Sequence, residues 1–324
     1  MIAITQGDPH GVGPEVTIKG FSPTPRRIHI GESALYKKCA KSLGYSIPMQ
    51  EVSTVKEAEA LPADVFAILP PPAKSSSSPF AKDAITTIQS ISFACQLAVT
   101  GQVQAMVTPP INKAVIHKAG YNFPGHTEML AEYTKTEHPV MMLATKGLKV
   151  VPATIHQALS EVSKTLTSEL LEQIIRTTAT AMQRDFAIAK PRITVTGLNP
   201  HAGEDGAFGL EELEVIAPLC QRLNLELTGE IRGPLPADSL FHSEARKQYD
   251  VVICMYHDQA LIPLKMLGFG KAVNITLGLP IVRTSVDHGT AYDIAGKGIA
   301  DPTSFKEAIR LAGLIVNNRQ KTSD

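Results

Sequence analysis

The four cysteines, Cys39, Cys95, Cys220 and Cys254, are far apart and form no C-x-x-C pair. Neither a zinc knuckle nor a disulfide framework is indicated, and a reducing, cytoplasmic location is expected. Net charge is absent as well, since 31 Lys and Arg balance 31 Asp and Glu. Charge therefore gives no sign of a nucleic-acid or membrane-surface partner. The N-terminal MIAITQGDPHG lacks a basic region followed by a long apolar stretch, so no secretory signal is expected. No apolar run approaches the ~18 residues that span a bilayer. No internal repeat is visible. The glycines of TQGDPHGVGPEV do not fall as G-x-G-x-x-G, which excludes a Rossmann fingerprint at that turn.

What is present is a chain of 324 residues, 44% hydrophobic, enough for a large core and for two lobes. Short apolar runs at 2–5, 28–30, 65–69, 105–108, 140–143, 149–155, 192–196 and 251–255 predict strands. Helix-period segments at 81–100, 127–134, 168–184, 210–223 and 303–317 alternate with them. That alternation predicts an α/β fold with a largely parallel sheet. PPPAKSSSSPF, residues 70–80, is expected to be a surface loop, because Pro and Ser supply no packed face.

Three histidines closely follow strand-like runs: KVVPATIH ends on His156, RITVTGLNPH on His201 and DVVICMYH on His257. Ligands of open α/β sheets bind beyond the carboxyl ends of the strands. Three strands delivering imidazoles to that edge suit a divalent metal with open coordination positions. Any one of these histidines alone is equally well a loop or capping residue; the repeated placement is what suggests a ligand set. In FPGHTEMLAEY, Pro124 and Gly125 form a turn, and Thr127 or His126 can cap the helix that follows. The helix start can also hold a phosphate or carboxylate, and both readings stand. The Gly/Pro-rich turn at 5–16 either brings backbone close to a ligand or is only structural. The segment 274–302, rich in Gly, Asp, Thr and His, is expected to be a long functional loop. Within it Arg283 suits a bidentate contact with phosphate or carboxylate, or a surface ion pair. Lys265 suits a phosphate contact or proton exchange, or is simply solvated.

Taken together, these motifs resemble a known family. HGTAYDIAGKGIADP, residues 288–302, is similar to the adenosine-binding loop of isocitrate and isopropylmalate dehydrogenases, and GDPHGVGPE to their N-terminal turn. A closer resemblance is to the 4-hydroxythreonine-4-phosphate dehydrogenase family. VTPPINKAVIHKAGYNFPGHTEMLA, GLNPHAGEDGAFGLEE, GPLPADSLF, YHDQALIPLK and VNITLGLPIVRTSVDHGTAYDIAGKGIAD carry it in order, over nearly the whole chain. The resemblance implies an α/β, two-lobed α/β/α isocitrate/isopropylmalate dehydrogenase-like fold with the active site in the cleft between lobes. It implies a nucleotide-binding lobe of residues 1–125 with 280–324, and a metal, substrate and dimerisation lobe of 126–279. His156, His201 and His257 would bind one divalent metal per subunit, Zn, Mg or Co, in a site shared across a homodimer. His126, Thr127, Lys265, Asn274 and Arg283 would contact a phosphorylated hydroxy-amino acid. Gly11, Gly13, His288, Gly289, Thr290, Ala291 and Asp293 would hold NAD or NADP.

The implied reaction is oxidation of the C3 hydroxyl of 4-phosphohydroxy-L-threonine. The β-keto acid formed then loses carbon dioxide to give 3-amino-2-oxopropyl phosphate, a step in pyridoxal phosphate synthesis. Lys265, Asp238 and Asp258 are the candidate catalytic groups. Lys265 would hold phosphate or exchange a proton, and the aspartates would orient a histidine or act as a base; Asp238 is equally well a structural turn residue. His10, Pro109, Ala260 and Val286 depart from the family pattern and bear on substrate identity. Another phosphorylated four-carbon acid, such as phosphoerythronate or phosphothreonate, is the alternative substrate. A phosphate acyltransferase shares a two-lobed fold but has no use for the nucleotide loop or three histidines. A catalytically inactive metabolite-binding protein would not need every ligand position retained.

Overall fold

The computed structural model describes residues 1–72, 79–121, 123 and 125–321. In chain order the strands are β1 (Ile2–Thr5), β2 (Arg27–Ile30), β3 (Met49–Glu51), β4 (Phe66–Leu69), β5 (Ala105–Thr108) and β6 (Val140–Thr145). They continue as β7 (Leu148–Pro152), β8 (Arg192–Thr196), β9 (Glu230–Leu235), β10 (Val251–Cys254), β11 (Val273–Leu277) and β12 (Arg283–Val286). The helices are α1 (Gly13–Lys19), α2 (Ser33–Ser42), α3 (Val55–Ala60), α4 (Pro79–Val99), α5 (Lys113–Lys118) and α6 (His126–Thr134). After them come α7 (Val162–Thr165), α8 (Ser168–Arg184), α9 (Ala217–Glu226), α10 (His257–Gly268) and α11 (Thr303–Lys321).

Two compact units result. The first comprises Met1–Pro139 and Leu279–Asn317; the second is Val140–Gly278 with the chain from Asn318. In the first, the strands lie in the order β3-β4-β2-β1-β5-β12 and every pairing is parallel. Strands β1, β2, β4, β5 and β12 are buried at every residue, as parallel strands covered on both faces must be. Ile88, Ile91 and Cys95 of α4 pack on Ala3, Ile28 and Met106 of these strands. A smaller cluster gathers Tyr36, Phe66 and Ile68, with the His29 ring stacked on Phe66 at 3.5 Å between centroids.

In the second unit β11, β6 and β7 are antiparallel neighbours, and β7, β10, β8 and β9 follow as parallel ones. Helix α8 shows why a sequence period becomes a helix. Thr167 caps it by accepting from Leu170 N at 3.2 Å, and Leu171, Ile174, Ile175, Ala179 and Met182 form one buried stripe. Helix α10 lays Ala260, Leu261 and Leu264 on Val150, Val252 and Cys254.

Part of the segment 274–302 is corrected from loop to sheet, because β11 and β12 fall within or against it. Each is only four or five residues long and mixes Thr, Asn, Arg and Ser with its apolar residues, so no apolar run announces it. Residues 73–78 of the expected surface loop, and Pro124 of the expected turn, lie outside the described residues; the end of that loop, from Pro79, opens α4. No helix among the described residues is long and apolar enough to cross a membrane.

Candidate active site

In the second unit, the three histidine-bearing runs are neighbouring parallel strands, with β10 between β7 and β8. Their carboxyl ends therefore share one edge. Side chains and backbone tie those ends together. Thr154 Oγ1 donates to Met255 O at 2.8 Å, and Ala153 N to Cys254 O at 2.7 Å. Gln259 Nε2 donates to Gly197 O at 2.9 Å, while its Oε1 accepts from Thr196 Oγ1 and Met255 N, both at 2.7 Å.

His257 is the first residue of α10, and Asp258 stands in that helix's first turn. The His257 and His156 rings are 6.1 Å apart between centroids. Both line a pocket of about 550 Å³ with Val162, Tyr256 and Asp258. His257 Nδ1 lies 2.6 Å from Asp258 Oδ1. A carboxylate only accepts, so Nδ1 carries the hydrogen and the Nε2 lone pair is left for a Lewis acid. That donor chemistry fits a divalent metal.

His201 is exposed on a turn of unusual backbone. From His201 to Gly206 every φ is positive: 53°, 52°, 82°, 43°, 54° and 91°. Left-handed backbone costs L residues roughly 1 kcal/mol each, so four non-glycine residues in it must be held by their surroundings. Among the described residues, no three His, Cys, Asp or Glu side chains gather in metal-binding geometry. One chain thus brings His156 and His257 together and does not by itself complete a three-histidine set. Asp238 is exposed on the turn Ala237–Ser239, which packs against the turn carrying His201. Lys265 is half-buried on α10, about 12 Å along the helix axis from His257. Asn274, on β11, has a buried Oδ1 without a hydrogen-bond partner among the described residues.

In the first unit, Arg283 of β12 is 3% exposed, and its Nε and Nη2 donate to Thr108 Oγ1 at 3.2 and 2.8 Å. Burial pulls its pKa down to about 10, against the opposing pull of Glu128, so it stays charged at neutral pH. His126 opens α6, but the cap residue is Gly125, and no side-chain capping bond forms. Neither His126 nor Thr127 acts as the cap, which corrects the capping reading of that pair. His126 Nε2 is buried without a hydrogen-bond partner among the described residues. Burial, then the charges of Arg283 and Lys113, hold its pKa well below the ordinary imidazole value. A neutral imidazole with a vacant polar atom, between two cations, is suited to an anionic group. Lys113, at the start of α5, went unremarked in the sequence; its signal was its place in TPPINK.

The glycine-rich turn and the segment 288–300 meet in the same unit. Val12 N donates to Thr290 O at 2.9 Å, and a Cβ on Gly11 would lie 2.8 Å from that oxygen. Tyr292 Oη donates to Asp8 Oδ2 at 2.5 Å. Glu15 accepts from Ala300 N at 2.8 Å and from Gly298 N at 3.3 Å, and Lys19 Nζ bonds the carbonyls of the same two residues. Gly13 opens α1. His288 Nε2 is a further buried nitrogen without a partner among the described residues. Gly289 and Asp293 are exposed, Ala291 is left-handed at φ 44°, and a pocket of about 210 Å³ lies between Gly11, Glu15, Cys39 and Gly296. Of the departures, His10 reaches Asp83 at 2.8 Å, Pro109 packs on Gly7, Ala260 is core and Val286 ends β12.

Comparison with known proteins adds to this geometry. Residues 24–312 match the family described as pyridoxal phosphate biosynthetic protein PdxA. The chain is 46% identical to a 4-hydroxythreonine-4-phosphate dehydrogenase of Caulobacter vibrioides, over 98% of each chain. It is 45% identical to one of Ruegeria, over 99% of this chain and 98% of that one. Its fold superposes with a TM-score of 0.87 and 37% identity on the crystal structure of 4-hydroxythreonine-4-phosphate dehydrogenase from Klebsiella pneumoniae, over 98% and 99% of the two chains. The chain belongs to the PdxA family of pyridoxal phosphate biosynthetic proteins, a family of α/β oxidoreductases.

Proposed function

We propose that this chain oxidises 4-phosphohydroxy-L-threonine with NAD or NADP, giving a β-keto acid that decarboxylates to 3-amino-2-oxopropyl phosphate. The observation that carries the reading is the His156–His257 pair at the carboxyl edge of parallel strands, with Asp258 fixing the His257 tautomer. His156, His201 and His257 would hold one divalent metal, Zn, Mg or Co. When bound, such an ion stabilises negative charge on a hydroxyl or carbonyl oxygen, and a nicotinamide accepts the hydride. The chain's own residues do the rest. Arg283, Lys113 and His126 present charge and an open polar atom to an anionic group of the substrate. Thr127, Asn274 and Lys265 are its further contacts, Asn274 with an acceptor that lacks a partner. Asp258 orients His257, and Lys265 would hold phosphate or exchange a proton. The turn 7–13 with 288–293 would receive the nucleotide, backbone against backbone at Gly11 and Thr290.

We infer a homodimer whose metal site draws on both subunits, working in the cytoplasm. Two features support it. One chain leaves the three-histidine set incomplete among the described residues. Helix α10, which begins at His257, carries an apolar outer stripe: Ile262 is 59% exposed, Met266 84% and, just past its end, Phe269 83%. Apolar side chains at that spacing mark an interface. Phe269→Asp should shift sedimentation toward monomer and abolish turnover together; a fully active monomer would end the shared-site reading. The activity itself is tested with chelator-treated protein, following NADH absorbance with 4-phosphohydroxythreonine and with phosphoerythronate, before and after zinc, magnesium or cobalt is added. Metal-independent turnover would overturn the histidine assignment, and preference for phosphoerythronate would overturn the substrate.

A further inference from the structure

We propose that Glu212 is a positioning residue for His201; this rests on the metal reading above. Glu212 is 2% exposed and opens a π-helical turn, Glu212–Ile216, after the loop that carries His201. A buried carboxylate must be compensated, and this one accepts from two backbone amides and one side-chain amide. Oε1 accepts from Leu198 N at 2.7 Å and Asn199 N at 2.8 Å, and Oε2 from Asn199 Nδ2 at 2.9 Å. These bonds grip the chain just before His201. Just after it, Gly203 lies so close that a Cβ would sit 2.7 Å from Glu212 Oε2. A Cβ on Gly197 would lie 2.7 Å from Ala202 Cα and 3.0 Å from Glu212 Oε1. The left-handed turn is thus closed around one carboxylate, with glycine where any side chain would displace it.

Uncharged packing could hold an ordinary loop at smaller desolvation cost. Here charge-assisted bonds, stronger than neutral ones, fix Leu198 and Asn199 at the entry to six consecutive residues of positive φ, and the side chain presented on that turn is an exposed imidazole. Strain of this kind persists where the surroundings over-determine it, typically at functional positions. The geometry points to Glu212 setting the direction in which His201 faces its metal.

The test measures zinc affinity of the chelator-treated full-length protein by competition with a chromophoric chelator. Glu212→Gln keeps the shape but removes the charge and sets its NH2 against an N–H donor, Asn199 Nδ2 in the better of its two orientations. It should weaken zinc binding roughly 10- to 100-fold, the usual effect of removing a group that orients a ligand. It should also speed amide exchange across residues 198–206 while the rest of the second unit stays protected. In a His201→Ala background the same substitution should add nothing, because both changes remove one ligand. Zinc losses that multiply, or unchanged affinity in Glu212→Gln beside a loss in His201→Ala, would overturn the positioning role alone. Unchanged affinity in His201→Ala would overturn the histidine reading itself and the role with it. If the glutamine variant does not fold, Asn199→Ala loosens the same grip, and the same comparisons decide.

Discussion

Alanine at Gly11 puts a methyl carbon 2.8 Å from Thr290 O and 2.9 Å from Thr290 Cβ. Ordinary contacts begin near 3.4 Å, so the Thr290 backbone must retreat by about half an ångström, and overpacking of this kind costs about 1–3 kcal/mol. The same retreat stretches the 2.9 Å bond from Val12 N to Thr290 O beyond useful length, adding about 1 kcal/mol. The total, about 2–4 kcal/mol, falls on the junction of the two segments assigned to the nucleotide. If segment 288–293 yields, the cost appears as a Kd for NAD or NADP raised about 30- to 700-fold; if it does not yield, the cost appears in stability. Nucleotide titration by calorimetry and urea unfolding, done on the same variant, capture both. Gly13 is the internal control for the stability arm. Its nearest neighbour to an added Cβ is Pro109 Cβ at 3.4 Å, and it carries no left-handed φ. Gly13→Ala should therefore be neutral or stabilising by up to about 1 kcal/mol. Nucleotide affinity within twofold of wild type and an unchanged urea midpoint in Gly11→Ala would refute the reasoning.

His29 is buried and neutral, with burial pulling its pKa to about 3 from an ordinary 6.5. Its contribution is therefore complete above pH 6.5 and is lost as pH falls toward 3, amounting to about 2 kcal/mol by pH 5. Thermal unfolding should show a falling midpoint over that window, and His29→Asn, less stable at neutral pH, should show a flatter profile; equal slopes would argue against it. Arg283→Lys loses the fork on Thr108 and should raise the KM for phosphorylated substrate about 10- to 100-fold with a smaller change in kcat, a split that steady-state kinetics resolves. Asp258→Asn should weaken zinc binding about 10-fold or more by releasing the His257 tautomer, and an unchanged dissociation constant would place Asp258 outside the site.

The sequence shows best what periodicity and apolar runs encode. The run Val251–Met255 became β10, and α8 spans Ser168–Arg184 as its spacing predicts. Strand β12 was hidden because RTSV buries an arginine and a serine. It pairs in parallel with β5, whose Thr108 Oγ1 accepts from that guanidinium, a contact 175 residues away in the chain. His257 looked like the start of a loop and instead opens a helix, with Asp258 favourably placed at its positive end. The pairing of His126 with Arg283 and Lys113 had no local signal, since these residues come from α6, β12 and α5. Nothing in NPHAGEDG required His201 and Ala202 to be left-handed, although Gly203 and Gly206 allowed their neighbours to be.

Gln259 has one more consequence. Its amide bonds at once to Thr196, Gly197 and Met255, the ends of β8 and β10. Slipping one strand past the other by a single residue would move these partners by about 3.3 Å and turn every side chain to the opposite face. The amide could not span that gap, and His257 would point into the wrong layer. The alignment of two histidine-bearing strands is thereby proofread by a residue two positions from His257. A misassembled chain would be inactive and also lack the bonds that make the correct assembly stable.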